Sequence, residues 1–453
     1  MLEKRKTSIV KKLKESYTRM IAIGFLLLIL VGTFLLSLPM ATRSGERMSF
    51  VDALFTATSA SCVTGLIVAD TYTNWSLFGQ LVIICLIQIG GLGFITIGIY
   101  IAVLLKKKIG LWEREAIHES VNTIQSAGAV RLTKKIIQGT LLIELIGALL
   151  LSIRFVPKLG LAEGIYYGVF HSISAFCNAG FDLMGRWEPY SSLCLFEGDI
   201  LINTVIMSLI TIGGIGFIVW DDVSRNKWHI KKYLLHTKMV LFVSAILTFG
   251  GAFLFYCFER NHLFAGMNGK ETILGALFCS VTPRTAGFNT VDIAGLTDCS
   301  KLLTVILMFI GGSPGSTAGG AKTTTVVVML LSAVAMIRST YGTNIFGRRL
   351  EEETIKKAST VFMINLTLAL TAVMVLLAIQ PLNFMDVLLE VFSAIGTVGM
   401  STGVTRELNI WSKLIIILLM YCGRLGSLSF VLIFAKRKAV PHIQCPQEKM
   451  LVG

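Results

Sequence analysis

Long uncharged runs alternate with short polar, mostly basic stretches along this chain, and the alternation recurs four times. Residues 20–40 carry no charge and are long enough to cross a bilayer, which takes about 20 residues. Residues 50–61 are apolar but too short to cross, and they lead into Cys62-Val63-Thr64-Gly65. That length predicts a half-helix that enters the membrane and leaves on the same side. Residues 77–105 predict a second full span. The same long–short–long order returns at 136–156, 164–180 and 200–220, at 239–258, 272–287 and 302–337, and at 358–379, 385–399 and 411–435. The expected architecture is an all-α integral membrane fold of eight spans and four re-entrant helices, arranged as four pseudo-symmetric repeats around one pore. The repeats occupy 20–105, 136–220, 239–337 and 358–435, between an N-terminal segment 1–19 and a tail 436–453.

Each short segment ends in a glycine: Gly65, Gly180, Gly287 and Gly399, separated by 115, 107 and 112 residues. Ser-Ala stands six and five residues before three of them, at Ser59-Ala60, Ser174-Ala175 and Ser393-Ala394, whereas the third copy has Val281-Thr282. A fixed period is the mark of a repeat architecture. One glycine after an apolar helix reads as an ordinary helix end; four in the same setting read as one turn used four times. Replacing the water around an ion with backbone carbonyls requires conformations that a side chain forbids. The candidate ion-binding filter is therefore Val63, Thr64 and Gly65; Asn178, Ala179 and Gly180; Thr285, Ala286 and Gly287; and Thr397, Val398 and Gly399. Thr397-Val398-Gly399 also resembles the start of the filter of tetrameric potassium channels. The second glycine of that signature is missing in every copy, which implies fewer carbonyl rings.

Composition agrees with this class. Hydrophobic residues make up 54% and charged residues 15%, with a mean hydropathy of +0.73, values that exclude an ordinary soluble domain. The nine cysteines lie mostly in apolar segments (Cys62, Cys85, Cys257, Cys279, Cys422) and have neither metal-ligand spacing nor a disulfide pattern. The net charge of +14 sits in particular connections rather than suggesting nucleic acid. Residues 106–135 carry seven Lys/Arg, 221–238 five with His229 and His236, and 338–357 five. The positive-inside rule places these stretches and both termini in the cytoplasm, with the filter turns facing outward. The basic start followed by an apolar run reads as a retained first helix, because the run is too long for a signal peptide and no cleavage site follows. Asp52, Glu163, Glu271 and Asp386 open the short segments, where an acid complements a helix N-terminus. The four negative helix ends then converge on the membrane centre and favour a cation.

The last segment of each repeat holds a glycine cluster: Gly90-Gly91-Leu92-Gly93, Gly213-Gly214-Ile215-Gly216, Gly311 to Gly320, and Gly423-Arg424-Leu425-Gly426. The first two read as close-packing positions between helices. The third, Gly311, Gly312, Ser313, Pro314, Gly315, Ser316, Thr317, Ala318, Gly319 and Gly320, has five glycines and a proline. It cannot hold a regular helix in lipid and must break where it lines a cavity, so it is the candidate gate. It superficially matches a phosphate-binding loop, but Ala321 separates the last glycine from Lys322 and no strand precedes it, so nucleotide binding is not expected there. Lys322 and Arg424 are charges inside spans and are therefore functional candidates. Arg424 has no nearby acid in the sequence, which leaves carbonyls of the loop as its acceptors. Arg284, three residues before Gly287, is placed to brace its turn from behind.

These features together resemble the Trk/Ktr/HKT potassium transporter superfamily, most of all its Ktr-type membrane subunits. The resemblance is carried by the fourfold order, the four turns, the string Arg284-Thr285-Ala286-Gly287-Phe288-Asn289-Thr290, the broken third inner segment and Gly423-Arg424, and it covers almost the whole chain. No extra helical pair precedes the first repeat, which is more Ktr-like than Trk-like. Ser427 departs from the proline usual after Gly-Arg-x-Gly, and puts the bend of the last helix in question. The resemblance implies potassium uptake at the plasma membrane, with potassium bound at the filter carbonyls and sodium a candidate activator. It further implies a homodimer of complete pores and a cytoplasmic ring of nucleotide-binding, RCK-type regulatory subunits. Arg424 would face the intramembrane loop and Lys322 would follow it. Nucleotide control would have to come from that partner. The alternative is the potassium-translocating subunit of an ATP-driven pump, which shares four filter repeats but is longer than 453 residues. An intramembrane enzyme is not expected: no His-Glu-x-x-His or paired intramembrane aspartates occur, and the six histidines are scattered. Neither a tightly bound cofactor nor a nucleic-acid partner is expected.

Overall fold

The computed structural model of the chain describes residues 2–93, 96–98, 129–340, 342–434 and 448. Most of the basic stretch 106–135, the far end of the 77–105 segment and nearly all of the 436–453 tail lie outside the described residues.

Four long helices, one opening each repeat, form the outside: Leu2–Leu36, Ala129–Leu159, Leu235–Glu259 and Glu352–Ile379. Each contains a stretch long and apolar enough to cross a membrane, of which only 22% to 39% is buried inside the protein. Their outward faces present Ile23, Leu27, Phe34, Leu142, Leu149, Phe242, Phe249, Phe253 and Met374. A continuous apolar face of this kind suits contact with lipid chains. The helices begin earlier than charge alone suggests. The first already starts at Leu2, within the polar N-terminal segment, and the fourth starts at Glu352 rather than near 358.

Inside them lie the short helices Phe50–Cys62, Leu161–Phe176, Gly269–Val281 and Phe384–Gly396. Nearly every side chain in their last two turns is buried. This is the only setting in which a helix of such length is stable at membrane depth. Asp52, Glu163, Glu271 and Asp386 all occupy the third helical position, after the N-caps Ser49, Gly160, Asn268 and Asn383. Glu271 completes a capping box with the Asn268 N–H at 3.1 Å. Asp52 pairs with Lys413 at 2.6 Å and Asp386 with Lys301 at 3.7 Å. Each of these two pairs ties a short helix to the inner helix of a neighbouring repeat. Glu163 pairs with Arg186.

The inner helices are not continuous spans as expected from the apolar pattern. The first, Leu77–Leu92, stops at Gly93. The second, Ile200–Ile215, turns by 95° into Phe217–Asn226, with Gly216 at φ +102° between them. The third consists of Asp298–Ile310 and Thr323–Ile337, joined by non-helical backbone, as its composition predicts. The fourth, Ile410–Leu425, breaks at Gly426 before Ser427–Phe434. Ser427 thus opens the following helix, a position where proline is also at home. Its hydroxyl accepts a 2.8 Å bond from Asn365 on the outer helix, and the helix breaks at Gly426 without the proline.

The stretch 338–357 departs from the all-α expectation in one small feature, a two-residue antiparallel hairpin pairing Asn344 with Arg349 and Ile345 with Arg348. Among the described residues, two large apolar cores do most to hold the repeats together. One packs Trp75, Phe155, Tyr167, Phe170 and Phe176 between the first two repeats. The other packs Phe55, Met308, Leu389, Phe392 and Met420 among the first, third and fourth.

Candidate functional site

The four turns adopt one backbone conformation. Two residues before each glycine, Val63, Asn178, Thr285 and Thr397 have φ of +57°, +61°, +76° and +50°. The glycines follow at φ +93°, +67°, +79° and +92°. Left-handed backbone at branched residues such as valine and threonine is unfavourable and persists only where the surroundings enforce it. Here hydroxyls one turn back in the short helix enforce it. Ser59 Oγ accepts from Gly65 N and Ser393 Oγ from Gly399 N, both at 3.0 Å. Ser174 Oγ donates to Phe181 O at 2.7 Å. In the divergent third copy, Thr282 does the equivalent work, donating to Phe288 O at 2.6 Å. The Val281-Thr282 exception therefore shifts the hydroxyl by one residue and keeps its function.

The glycines meet each other in a ring. A Cβ on Gly65 would fall on the carbonyl oxygen of Ala179; one on Gly180 would stand 2.6 Å from Ala286 O. One on Gly287 would strike Val398 O, and one on Gly399 would strike Thr64 O. The order closes on itself, with repeats 1, 2, 3 and 4 each facing the next and the fourth facing the first. In every case the opposed atom is the carbonyl just before the neighbour's glycine. Only glycine leaves room for four backbones to approach this closely around one axis. Asn178 and Thr285 add a side-chain link of 3.1 Å between the second and third turns. With its amide nitrogen directed to Ile210 O at 3.2 Å and Ala175 O at 3.1 Å, Asn178 accepts that bond from the Thr285 hydroxyl. The hydroxyls of Thr64 and Thr397 are buried and have no protein partner.

Arg284 points away from the ring. Its guanidinium donates to Ser244 O at 3.3 Å, Ser244 Oγ at 2.9 Å and Thr248 Oγ1 at 3.1 Å, all on the outer helix of its own repeat.

Directly beneath the turns sits the loop 311–322. A Cβ on Gly319 would run into the Thr397 side chain. The loop's backbone is paired largely with the break in the second inner helix, a partner that the sequence did not point to. Ser313 N donates to Gly214 O at 3.0 Å, Thr317 N to Gly213 O at 3.4 Å, and Phe217 N to Gly315 O at 2.8 Å. A helix that stops leaves carbonyls and N–H groups unpaired, and these are the groups that hold the loop. Ser316 Oγ donates to Ser313 O at 2.7 Å, Ser313 and Thr323 hydroxyls lie 3.2 Å apart, and Gly312 O accepts from Thr323 N at 2.9 Å. Gly311 N closes the preceding helix on Leu307 O at 3.0 Å, and a Cβ on Gly216 would stand 2.7 Å from Pro314 O. Lys322 Nζ donates back to Ala318 O, and to Gly319 O at 3.3 Å; Gly320 packs beside Gly311.

Arg424 joins this loop to two other repeats. From the last turn of the fourth inner helix it donates to Thr317 O of the loop, and to Gly90 O and, at 3.0 Å, Gly91 O at the end of the first inner helix. The loop contact is the one its sequence context suggests; the contact with Gly90 and Gly91 is not legible there, because nothing marks those two carbonyls as free. The inner-helix glycines do also pack closely, as expected. Gly90, Gly213 and Gly423 lie on the carbonyls of Ser61, Phe176 and Ile395, each four residues before the glycine of its turn.

Above the turns, Asp182 follows Gly180 by two residues, and one of its carboxylate oxygens accepts from Met184 N at 2.9 Å. Burial, opposed by that bond and reinforced by the nearby Asp70 charge, raises its pKa to about 7. The described cysteines are all free thiols.

Residues 5–443 match the family model described as TrkH, cation transport protein. The chain is 41% identical over 445 residues to the potassium/sodium uptake protein NtpJ of Enterococcus hirae, covering 97% of each. It is 40% identical over 453 residues to the Ktr system potassium uptake protein B of Bacillus subtilis, covering 99% of each. Its fold is similar to the crystal structure of the potassium transporter TrkH from Vibrio parahaemolyticus. The TM-score is 0.69 at 19% identity, over 91% of this chain and 85% of that one.

Proposed function

Since the chain belongs to the TrkH family of cation transport proteins, and so is a membrane transporter rather than an enzyme, we propose that it takes up potassium through the glycine ring. The observation that carries this reading is the closed ring itself, in which each repeat's glycine faces the next repeat's carbonyl. Backbone oxygens gathered on an axis can stand in for the hydration shell of a weakly hydrated monovalent cation. The filter is then Val63, Thr64 and Gly65 with the three equivalent triplets, and the unpartnered Thr64 and Thr397 hydroxyls are available to a passing ion. Four short helices end at the ring, and their negative C-terminal ends favour a cation and disfavour an anion.

In this reading the loop 311–322 closes the path below the filter. Arg424 is its latch, and Lys322 ties the end of the loop back to its own Ala318 and Gly319 carbonyls. A fixed cation there opposes potassium from beneath while the loop is closed. Flow needs no chemical energy: one charge gains about 2.3 kcal/mol per 100 mV of membrane potential. Inward flow requires the filter turns to face out, with both termini in the cytoplasm. That orientation puts Arg225, Lys227, Lys231, Lys232, Arg348 and Arg349, all exposed, on the cytoplasmic face, in line with the positive-inside rule. A nucleotide-binding regulatory ring would dock on that face of a homodimer and pull on the gate.

The test is potassium or rubidium uptake in a host lacking its own systems, with and without external sodium. Growth rescue at low external potassium is expected, and the sodium arm shows whether sodium activates. No rescue by correctly inserted protein overturns the reading.

A further inference from the structure

The segment after the second filter turn is longer than its three counterparts. Ile200 opens its inner helix 20 positions after Gly180; the equivalent distances are 12, 11 and 11 in the other repeats. The added residues reach all three other repeats. Tyr190 N donates to Asp70 Oδ2 of the first at 3.1 Å. Ser192 Oγ accepts from Asn289 N of the third at 3.1 Å, and Leu193 N donates to Asn289 O at 2.8 Å. The guanidinium of Arg406, from the fourth, lies 4.3 Å over the Tyr190 ring. Tyr190 and Ser192 have φ of +63° and +48°, costly for residues with side chains. Contacts to three separate repeats account for their persistence.

The two segments that meet at Tyr190 and Arg406 are also the two pinned to their own short helices, from one shared register. Nine residues before the filter glycine stand His171 in the second repeat and Glu390 in the fourth. His171 donates through Nδ1 to Tyr167 O at 2.7 Å, which leaves Nε2 to accept from Leu183 N at 3.2 Å. The Glu390 carboxylate accepts from Ser401 Oγ at 2.7 Å and from Thr405 Oγ1. The same position holds Thr56 in the first repeat, bonded within its own helix to Asp52 O at 2.9 Å, and the apolar Phe278 in the third. In this register only the second and fourth repeats, among the described residues, pin the segment after the turn to their own short helix.

We propose that residues 182–199 form a collar at the outer mouth, closed by Arg406 on Tyr190, and that this closure sets how readily external cations reach the ring. His171 and Glu390 are positioning residues for its two halves. The inference rests on the transport reading above. An exposed cation–π contact is weak, so the closure can part and re-form. The Arg406 charge at the rim opposes an approaching cation, and salt screens that opposition.

The experiment is rubidium uptake into proteoliposomes as a function of rubidium concentration, at low and high ionic strength set with an impermeant organic salt. Arg406→Gln should lower KM roughly twofold or more at low ionic strength, and the difference should vanish at high ionic strength. Arg406→Lys keeps the charge and should keep the salt dependence. Tyr190→Phe should behave as the unmodified protein, whereas Tyr190→Ala, which frees Arg406, should shift KM. An unchanged KM and salt response in both Arg406→Gln and Tyr190→Ala would overturn the collar while leaving the transport reading intact. Absence of uptake by the unmodified protein would instead overturn the transport reading and the collar with it.

Discussion

Arg424→Ala removes a side chain that ties the fourth inner helix to both the intramembrane loop and the first inner helix, through Thr317, Gly90 and Gly91 carbonyls. A hydrogen bond to a charged group contributes about 1.5–3 kcal/mol. The three do not sum, because burying a guanidinium among backbone dipoles costs several kcal/mol of lost hydration. Suppose only one bond's worth separates the closed arrangement from an open one in which water takes the carbonyls. The ratio of closed to open then changes about 10- to 150-fold. Rubidium flux in proteoliposomes at saturating concentration should therefore rise by roughly tenfold or more if the closed form dominates. The preference for potassium over sodium should stay within about twofold, since the ring above is untouched. Arg424→Lys should fall between, because an ammonium is a point charge and cannot address two backbones through one planar fork. Deleting two residues within 313–317 should act in the same direction as Arg424→Ala. The opposite pattern, with selectivity lost and flux unchanged, would show that the loop supports the filter rather than gating it.

Gly65→Ser, Gly180→Ser, Gly287→Ser and Gly399→Ser should each reduce the potassium-over-sodium ratio, measured by competition uptake. Gly180 should be the most tolerant, its nearest obstacle being 2.6 Å away, and Gly399 the least, since a Cβ there would also come 2.8 Å from the Gly65 Cα; unchanged ratios in all four would refute the ring as filter. Asp182 has its pKa raised by burial from 3.8 to about 7, so the folded protein holds that proton more tightly than the unfolded chain does. Its favourable contribution is complete below pH ~4 and is lost as pH rises through 7. Asp182→Asn should therefore raise the melting temperature in detergent more at pH 8 than at pH 5, and equal shifts at both would count against the assignment.

The sequence by itself determined the class, the four repeats and the four turn glycines. Apolar length is set by bilayer thickness, and a backbone that must take positive φ in a crowded place leaves glycine in the sequence. Ten residues with five glycines and a proline announced the break in the third inner helix for the same local reason. The acids at Asp52, Glu163, Glu271 and Asp386 were legible as helix starts because capping is decided within one turn. What the tertiary structure decided is who meets whom. The closure of the ring, the pairing of the loop with Gly213, Gly214 and Phe217, and the second hold of Arg424 on Gly90 and Gly91 join residues about 100 to 330 positions apart. They involve backbone atoms, which every residue carries alike, so no side-chain pattern records them. The cluster around Gly216 was read as packing because clustered glycines in an apolar helix serve either purpose. Only the neighbouring loop, which takes up the groups freed by the break, distinguishes the two. The long segment between Asp182 and Asp199 likewise shows its length in the sequence, but its reach to three other repeats exists only once the four are assembled around an axis.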